Sequence, residues 1–387
     1  MAYQVFDRKF VLCYFALISA KDIENLSQRN NSGTGSFLSL LRWILSPLAG
    51  LYWMLTAFRN HLFDIEYKKS LEFTPFIISV GNLSVGGTGK SPMIEYLAEM
   101  LGRHYSLAIL SRGYRRKTSG VRLAGPSDNA DTLGDEPYQF YRKFGRSGKN
   151  QQKIVVAVGE ERALAIPEIL HQHPEVQLIL LDDAFQHRQV KADLQLLLTT
   201  CQRPFFHDRI LPLGLLRESR KGASRADMVV VTKCPEKAEA HMNTSRQKAQ
   251  RYAGDKVPVY FSGIRYGKAL SAFEGENPMP EPVLLISGLA NADLFDAYAR
   301  QQFKVTDHIR WGDHHRYTES DAGRVAESMT VTGAKAVLTT EKDMVKLMSE
   351  AWRKIPLFYL PICVTFIEHE AEFQQFIINR IRSSEKV

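Results

Sequence analysis

Apolar and polar positions along the chain follow two periods. Unbroken apolar runs bounded by turn residues predict buried strands at 76–80, 106–110, 154–158, 178–181, 194–198 and 228–231. Between several of them apolar residues recur at helical spacing, as over 92–101, 160–171 and 236–252. Strands alternating with helices predict an α/β fold with a mostly parallel sheet covered on both faces. Residues 257–269 read as short connecting strands. A second, smaller α/β section opens with the apolar run at 283–288 and continues through a helix at 292–301 and strands at 336–339 and 357–360. The chain carries no internal repeat. The pattern divides it into an extension (1–36), a membrane-anchor helix region (37–66), a main α/β domain (67–256), a β linker (257–282) and a C-terminal α/β section (283–387).

The amino-terminal part departs from this alternation. A short apolar run at 11–20 follows Arg8-Lys9 and loosely resembles a signal-peptide core, and 27–36 is polar and rich in Ser, Asn and Gly. We read both as an extension. From Trp43 to Phe58 the chain is uncharged and mostly apolar between Arg42 and Arg59. It is shorter than the roughly 20 residues of a comfortable span. Trp43, Tyr52 and Trp53 suit a headgroup interface, so a membrane anchor is expected, lying on the bilayer or crossing it briefly. A buried core helix is the alternative.

Chemistry concentrates just after the first strand. Ser84-Val85-Gly86-Gly87-Thr88-Gly89-Lys90-Ser91 is a glycine-rich turn between a strand and a helix. That context suits a phosphate-binding loop, whose backbone N–H groups and helix N-terminus face an anion. Lys90 is placed to reach the β/γ-phosphates and Ser91 to put a hydroxyl on Mg²⁺. The strict pattern has Gly at position 84, where this chain has Ser84. The strand at 178–181 ends in Asp182-Asp183, the carboxylates expected beside such a loop to hold a metal ion.

Two further clusters keep two readings each. Gly134-Asp135-Glu136-Pro137 fits a helix-capping turn and equally a general base, Asp135, for a hydroxyl. Trp311-Gly312-Asp313-His314-His315-Arg316-Tyr317 offers His314 as a proton-handling partner, or is a surface turn; its adjacent histidines do not make a closed zinc site. Basic groups follow the second strand (Arg112, Arg115, Arg116, Lys117) and the Leu211–Gly214 stretch (Arg217, Arg220, Lys221, Arg225). They fit phosphate, lipid headgroups or a solvated face. Thr232-Lys233 and Pro235 depart from a guanine-reading Asn-Lys-x-Asp, against a GTPase or metallochaperone-type switch.

Composition adds little to this picture. The 387 residues carry a net charge of +8, favouring an anionic partner. No stacking aromatics interleave the basic runs, so nucleic acid is not expected. The four cysteines are widely separated, which excludes a disulfide framework and fits a reducing compartment.

Together, residues 79–92, Leu110-Ser111-Arg112-Gly113-Tyr114, Gly134-Asp135-Glu136-Pro137, Asp182-Asp183-Ala184-Phe185-Gln186-His187-Arg188, residues 212–218, Asp313-His314-His315 and Thr340-Glu341-Lys342-Asp343 resemble the tetraacyldisaccharide 4′-kinase family of Gram-negative bacteria. The likeness runs in order over about 37–375. The resemblance implies a P-loop kinase fold and transfer of the γ-phosphate of ATP to the 4′-hydroxyl of a tetraacyldisaccharide 1-phosphate, at the cytoplasmic side of the inner membrane. It implies Asp135 as catalytic base aided by His314, with Ser91, Glu136, Asp182 and Asp183 arranging Mg²⁺, and Arg162 toward the acceptor's own phosphate. The lipid substrate and a membrane surface are the partners implied, with no obligate protein partner. A nucleotide-binding module without transfer activity is a third reading, disfavoured by Asp135 and Asp182.

Overall fold

The structure, a computed structural model, describes residues 35–145, 154–235, 239–273, 278–289, 292–313 and 315–384, with the side chains of 35–42, 239 and 240 excepted. The extension expected over 1–36 lies outside the described residues except for 35 and 36.

Fourteen described strands form two sheets. The first contains β1 (Phe76–Asn82), β2 (Leu107–Ser111), β3 (Arg122–Leu123), β4 (Val155–Val158), β5 (Leu178–Asp182), β6 (Leu194–Thr200), β7 (Met228–Thr232), β8 (Val259–Tyr266) and β14 (Ile362–Phe366), in the order β14-β8-β7-β6-β1-β5-β2-β4-β3. Pairing is parallel except at the two edges, where β14 and β3 run antiparallel to their neighbours. β1 and β5 are buried along their whole length, which is why they read as unbroken apolar runs. The second sheet has the order β11 (Val305–Arg310), β10 (Val283–Ser287), β12 (Ala336–Thr340), β13 (Leu357–Leu360), β9 (Leu270–Ser271), with only β9 antiparallel.

The helical pattern from 92 to 101 becomes the helix Lys90–Leu101, packed by Met93, Ile94, Leu97 and Ala98 on the first sheet. The chain then crosses between sections more often than the sequence pattern implied. β8, which begins in the expected linker, joins the first sheet, and β14 with the final helix Glu370–Ser384 returns to it from beyond the second. Phe366 and Phe373 of this return pack against Tyr96 of the Lys90–Leu101 helix. Apolar patterning identified the elements but carries no information on which sheet an edge strand joins.

The amino-terminal helix Gly35–Asp64 spans the region expected to be an anchor. Ala49, Tyr52 and Phe63 are buried against the body, while Trp43, Ile44, Leu51, Trp53, Met54 and Phe58 point outward. Among the described residues no helix is long and apolar enough to cross a membrane.

Candidate active site

The phosphate loop leaves β1 at its carboxyl end, between β5 and β6. Gly81 is required there because a Cβ on it would stand 2.6 Å from the Cβ of Phe185, so the Asp182–Phe185 turn lies directly against β1. The loop is braced from within by Asn82 Nδ2 donating to Thr88 Oγ1 (2.8 Å). From outside, Thr232 Oγ1 donates to Thr88 O (2.8 Å) and Val85 N to Leu215 O (2.8 Å). Ser84, where a glycine is usual, makes a bridge to Leu216. A side chain is therefore accommodated at 84 by pairing with a neighbouring segment. Gly89 takes φ 84° and turns the chain into the helix that starts at Lys90. Gly86 and Gly87 are exposed, and Lys90 and Ser91 sit at the helix start, where unpaired N–H groups and the helix dipole favour an anion.

The two carboxylates at the end of β5 have opposite surroundings. Asp183 pairs with Lys90 Nζ (3.5 Å) and accepts from Arg217 Nη1 (3.1 Å). Burial would push its pKa up, yet the Arg217 and Lys90 cations hold it well below the ordinary carboxylate range. Asp182 is 4% exposed, and its carboxylate accepts only Ser111 Oγ (3.1 Å), on Oδ2, among the described contacts. Burial, then the neighbouring Glu136 and Asp183 charges, push its pKa up to about 7. Its Oδ1 is buried without a hydrogen-bond partner.

That orphaned oxygen is a test of whether a metal ion suits the site. Among the described residues no group of three or more His, Cys, Asp and Glu is arranged to hold a metal alone. Mg²⁺ does not need such a cage, because it is commonly held by one or two carboxylates, a hydroxyl, water and substrate phosphates. Asp182, with Glu136 close enough to raise its pKa and Ser91 at the helix start, fits that donor set.

Asp135 opens the helix Asp135–Phe140, and its carboxylate is 30% exposed and 3.7 Å from Lys346 Nζ. Both readings of the Gly-Asp-Glu-Pro stretch are thus compatible with its position: it starts a helix and faces a charged neighbour. Glu136 follows on the same turn and acts electrostatically on Asp182. Asp313 lies 3.6 Å from Lys342 Nζ on the second section. His314 lies outside the described residues.

Arg162 is 2% exposed and donates to the carbonyls of Asp182 (3.1 Å), Gly159 (3.2 Å) and Glu160 (3.3 Å). Burial lowers its pKa to about 10, so it remains cationic, but it is spent on the backbone around β5 and not presented to solvent. Arg112 lies near enough to act on it and is itself exposed. Most of the other basic residues are engaged: Arg116 with Glu160, Lys117 with Asp131, Arg220 with Asp208 O, and Arg225 with Glu218.

Two lysines that the sequence reading met without giving them a role lie near the loop or its cations. Lys233 Nζ lies 3.7 Å from where a Cβ on Gly87 would stand, and its pKa is lowered by burial and then by Lys90 and Lys342. Lys342, from the second section, is close enough to Lys233 to act on its charge. The sequence reading met Lys233 only in a stretch that departs from the guanine-reading Asn-Lys-x-Asp.

The amino-terminal helix is wired to this site. Tyr52 Oη donates to Arg217 O (2.8 Å), Asn60 Nδ2 to Glu218 Oε2 (2.8 Å) and Arg59 Nη2 to Gln186 O (2.8 Å). Gln186 Nε2 in turn donates to Asn82 O (2.7 Å) at the end of β1. A second polar array, Ser287 Oγ to His308 Nε2 (2.9 Å) and His308 Nδ1 to Asp296 Oδ1 (2.8 Å), has the order of a nucleophile, base and orienting acid. Ser287 is fully buried, so the array ties β10 to β11 and offers no nucleophile to a substrate.

The sequence pattern of the family described as tetraacyldisaccharide-1-P 4′-kinase (LpxK) matches residues 41–382. The tetraacyldisaccharide 4′-kinase of Flavobacterium psychrophilum is 42% identical over 90% of this chain and 99% of its own. That of Bacteroides thetaiotaomicron is 35% identical over 90% of this chain and 95% of its own. Among solved structures, LpxK from Aquifex aeolicus in complex with ATP superposes with a TM-score of 0.70 at 28% identity, covering 88% of this chain and 99% of that one.

Proposed function

The chain belongs to the tetraacyldisaccharide-1-P 4′-kinase family, and from that premise we propose how its residues divide the work of phosphoryl transfer. The protein is an ATP-dependent kinase of the lipid A pathway, transferring the γ-phosphate to the 4′-hydroxyl of a tetraacyldisaccharide 1-phosphate. A switch GTPase is not favoured.

Lys90 and the N–H groups of 84–91 hold the triphosphate, with Lys233 as a further cation beside Gly87. Phosphoryl transfer needs alignment and charge neutralisation more than a covalent nucleophile. Asp135 takes the proton of the acceptor hydroxyl as its oxygen attacks the γ-phosphorus and the bond to the ADP oxygen breaks. His314 assists Asp135. Ser91, Glu136 and Asp182 hold Mg²⁺, and Asp183 acts by fixing Lys90 and Arg217. The ion, when bound, neutralises phosphate charge. Arg112, backed by buried Arg162, meets the acceptor's own phosphate. The outward apolar face of Gly35–Asp64 lies on the cytoplasmic face of the inner membrane, where an acylated acceptor resides.

The observation that carries the site assignment is the pairing of Lys90 with Asp183 next to an Asp182 oxygen that has no protein partner. The experiment is transfer of ³²P from ATP to tetraacyldisaccharide 1-phosphate, with and without Mg²⁺. Radiolabelled lipid that disappears in Lys90→Ala and Asp135→Ala supports the roles. Undiminished transfer by either variant rejects that residue's role.

A further inference from the structure

We propose that Lys346 is a positioning residue for phosphoryl transfer, holding the Asp135 carboxylate from across the boundary between the two sections. The inference rests on the reading of Asp135 as the base. Lys346 Nζ lies 3.7 Å from Asp135 Oδ2 and 3.3 Å from Asp343 Oδ1. Its side chain is 7% exposed, so the ammonium is shielded from water and its field is weakly screened.

Asp343 is the fixed end of this array. It is fully buried and accepts from Gly288 N (2.9 Å) and Thr340 Oγ1 (3.1 Å), while its own N–H donates to Thr340 Oγ1 (3.2 Å). These bonds tie it to the ends of β10 and β12, the rigid part of the second sheet. Lys346 therefore reaches out of a rigid seat toward a carboxylate that is 30% exposed on the other section.

At 3.7 Å the contact with Asp135 is an ion pair outside hydrogen-bond distance. It attracts the carboxylate to one place without occupying a lone pair needed to accept a proton. The second section thus contributes to the position of a base carried by the first, and misplacing that base by about 1 Å is worth about 100-fold in rate.

The test is steady-state transfer to the lipid acceptor by Lys346→Met, Lys346→Gln, Lys346→Arg and Asp135→Asn, with folding checked by circular dichroism and thermal melting. The expected result is a kcat lowered roughly 10- to 100-fold in Lys346→Met. The KM for ATP stays within about twofold, Lys346→Arg recovers most of the loss, and adding Lys346→Met to Asp135→Asn costs nothing more. Lys346→Gln keeps most of the length and can still donate to Asp343, so it carries the same readout if the Met variant does not fold. An unchanged kcat, a loss that repeats in full on the Asp135→Asn background, or a rise in ATP KM matching the fall in kcat overturns the inference. An active Asp135→Asn rejects the base assignment first and the inference with it. An inactive Asp135→Asn beside a normal Lys346→Met rejects the inference alone.

Discussion

Groups from the carboxyl ends of the two sheets meet, but they are equipped in opposite ways. The first sheet supplies groups carried directly at its strand ends: a backbone loop after β1, and Asp182 and Asp183 at the end of β5. The second supplies long side chains from the turn after β12, Lys342 beside Asp313 and Lys346 beside Asp343 and Asp135. Local placement makes a site whose parts tolerate little change, because each group is both structural and chemical. Remote placement makes one that is adjustable, since a long side chain can be shortened or discharged with its strand intact.

That contrast sets the order of expected effects. The largest belong to the first sheet's edge. Lys90→Ala and Asp135→Asn are expected to lower kcat by about 10³-fold or more with little change in Tm, measured by ³²P transfer and calorimetry. Next come the neighbours Asp182 and Asp183, whose asparagine variants should each lose roughly 10²-fold in kcat but move stability in opposite directions. A carboxyl whose pKa is raised by folding contributes stability at low pH that is lost as pH rises through its folded value. For Asp182 that window runs from its ordinary value of 3.8 up to about 7. Asp182→Asn is therefore expected to raise Tm at pH 8, by about 2–5 °C, and to flatten the decline between pH 4 and 7. Asp183 has its pKa depressed, so its contribution is present at neutral pH and lost on acidification. Asp183→Asn leaves Lys90 and Arg217 facing each other and should lower Tm at pH 8. Equal shifts of the same sign in both variants would erase the distinction drawn between them.

Smaller effects lie away from the chemistry. Replacing Trp53 and Phe58 together by Ser is expected to weaken partition onto anionic lipid vesicles roughly tenfold, while transfer to a detergent-dispersed acceptor changes less than about threefold. Equal losses in both assays would mean that the helix acts through Tyr52 and Asn60 on the loop. The smallest change is expected at Glu341. It is buried, and its pKa is pushed up to about 8, by burial first and then by Glu95. Its raised value makes stability fall as pH climbs from about 4.5 to 8, and Glu341→Gln should flatten that slope in a Tm-against-pH series.

Much of this was legible in the chain. Six strand positions of the first sheet, the phosphate loop and the acids after β5 all came from local pattern, since a buried parallel strand must be apolar and a phosphate turn must be rich in glycine. The amino-terminal helix was visible as an uncharged apolar stretch. The burial of Arg162 and its bonds to backbone carbonyls were not legible, because a sequence gives the charge of a residue and not its burial. Lys346 carried no signal at all, being one lysine three residues after an aspartate.

The sequence by itself determined the strands and helices, the cradle for phosphate and the acidic pair beside it, because each is built within one short segment by hydrogen bonds and hydrophobic period. The tertiary structure alone decided that β14 and the final helix return to the first sheet. It also decided that Asp182 and Asp183 titrate in opposite directions, and that Lys346 crosses to Asp135. Those outcomes depend on burial and on the fields of charges far away along the chain, and both exist only once the two sheets have packed together.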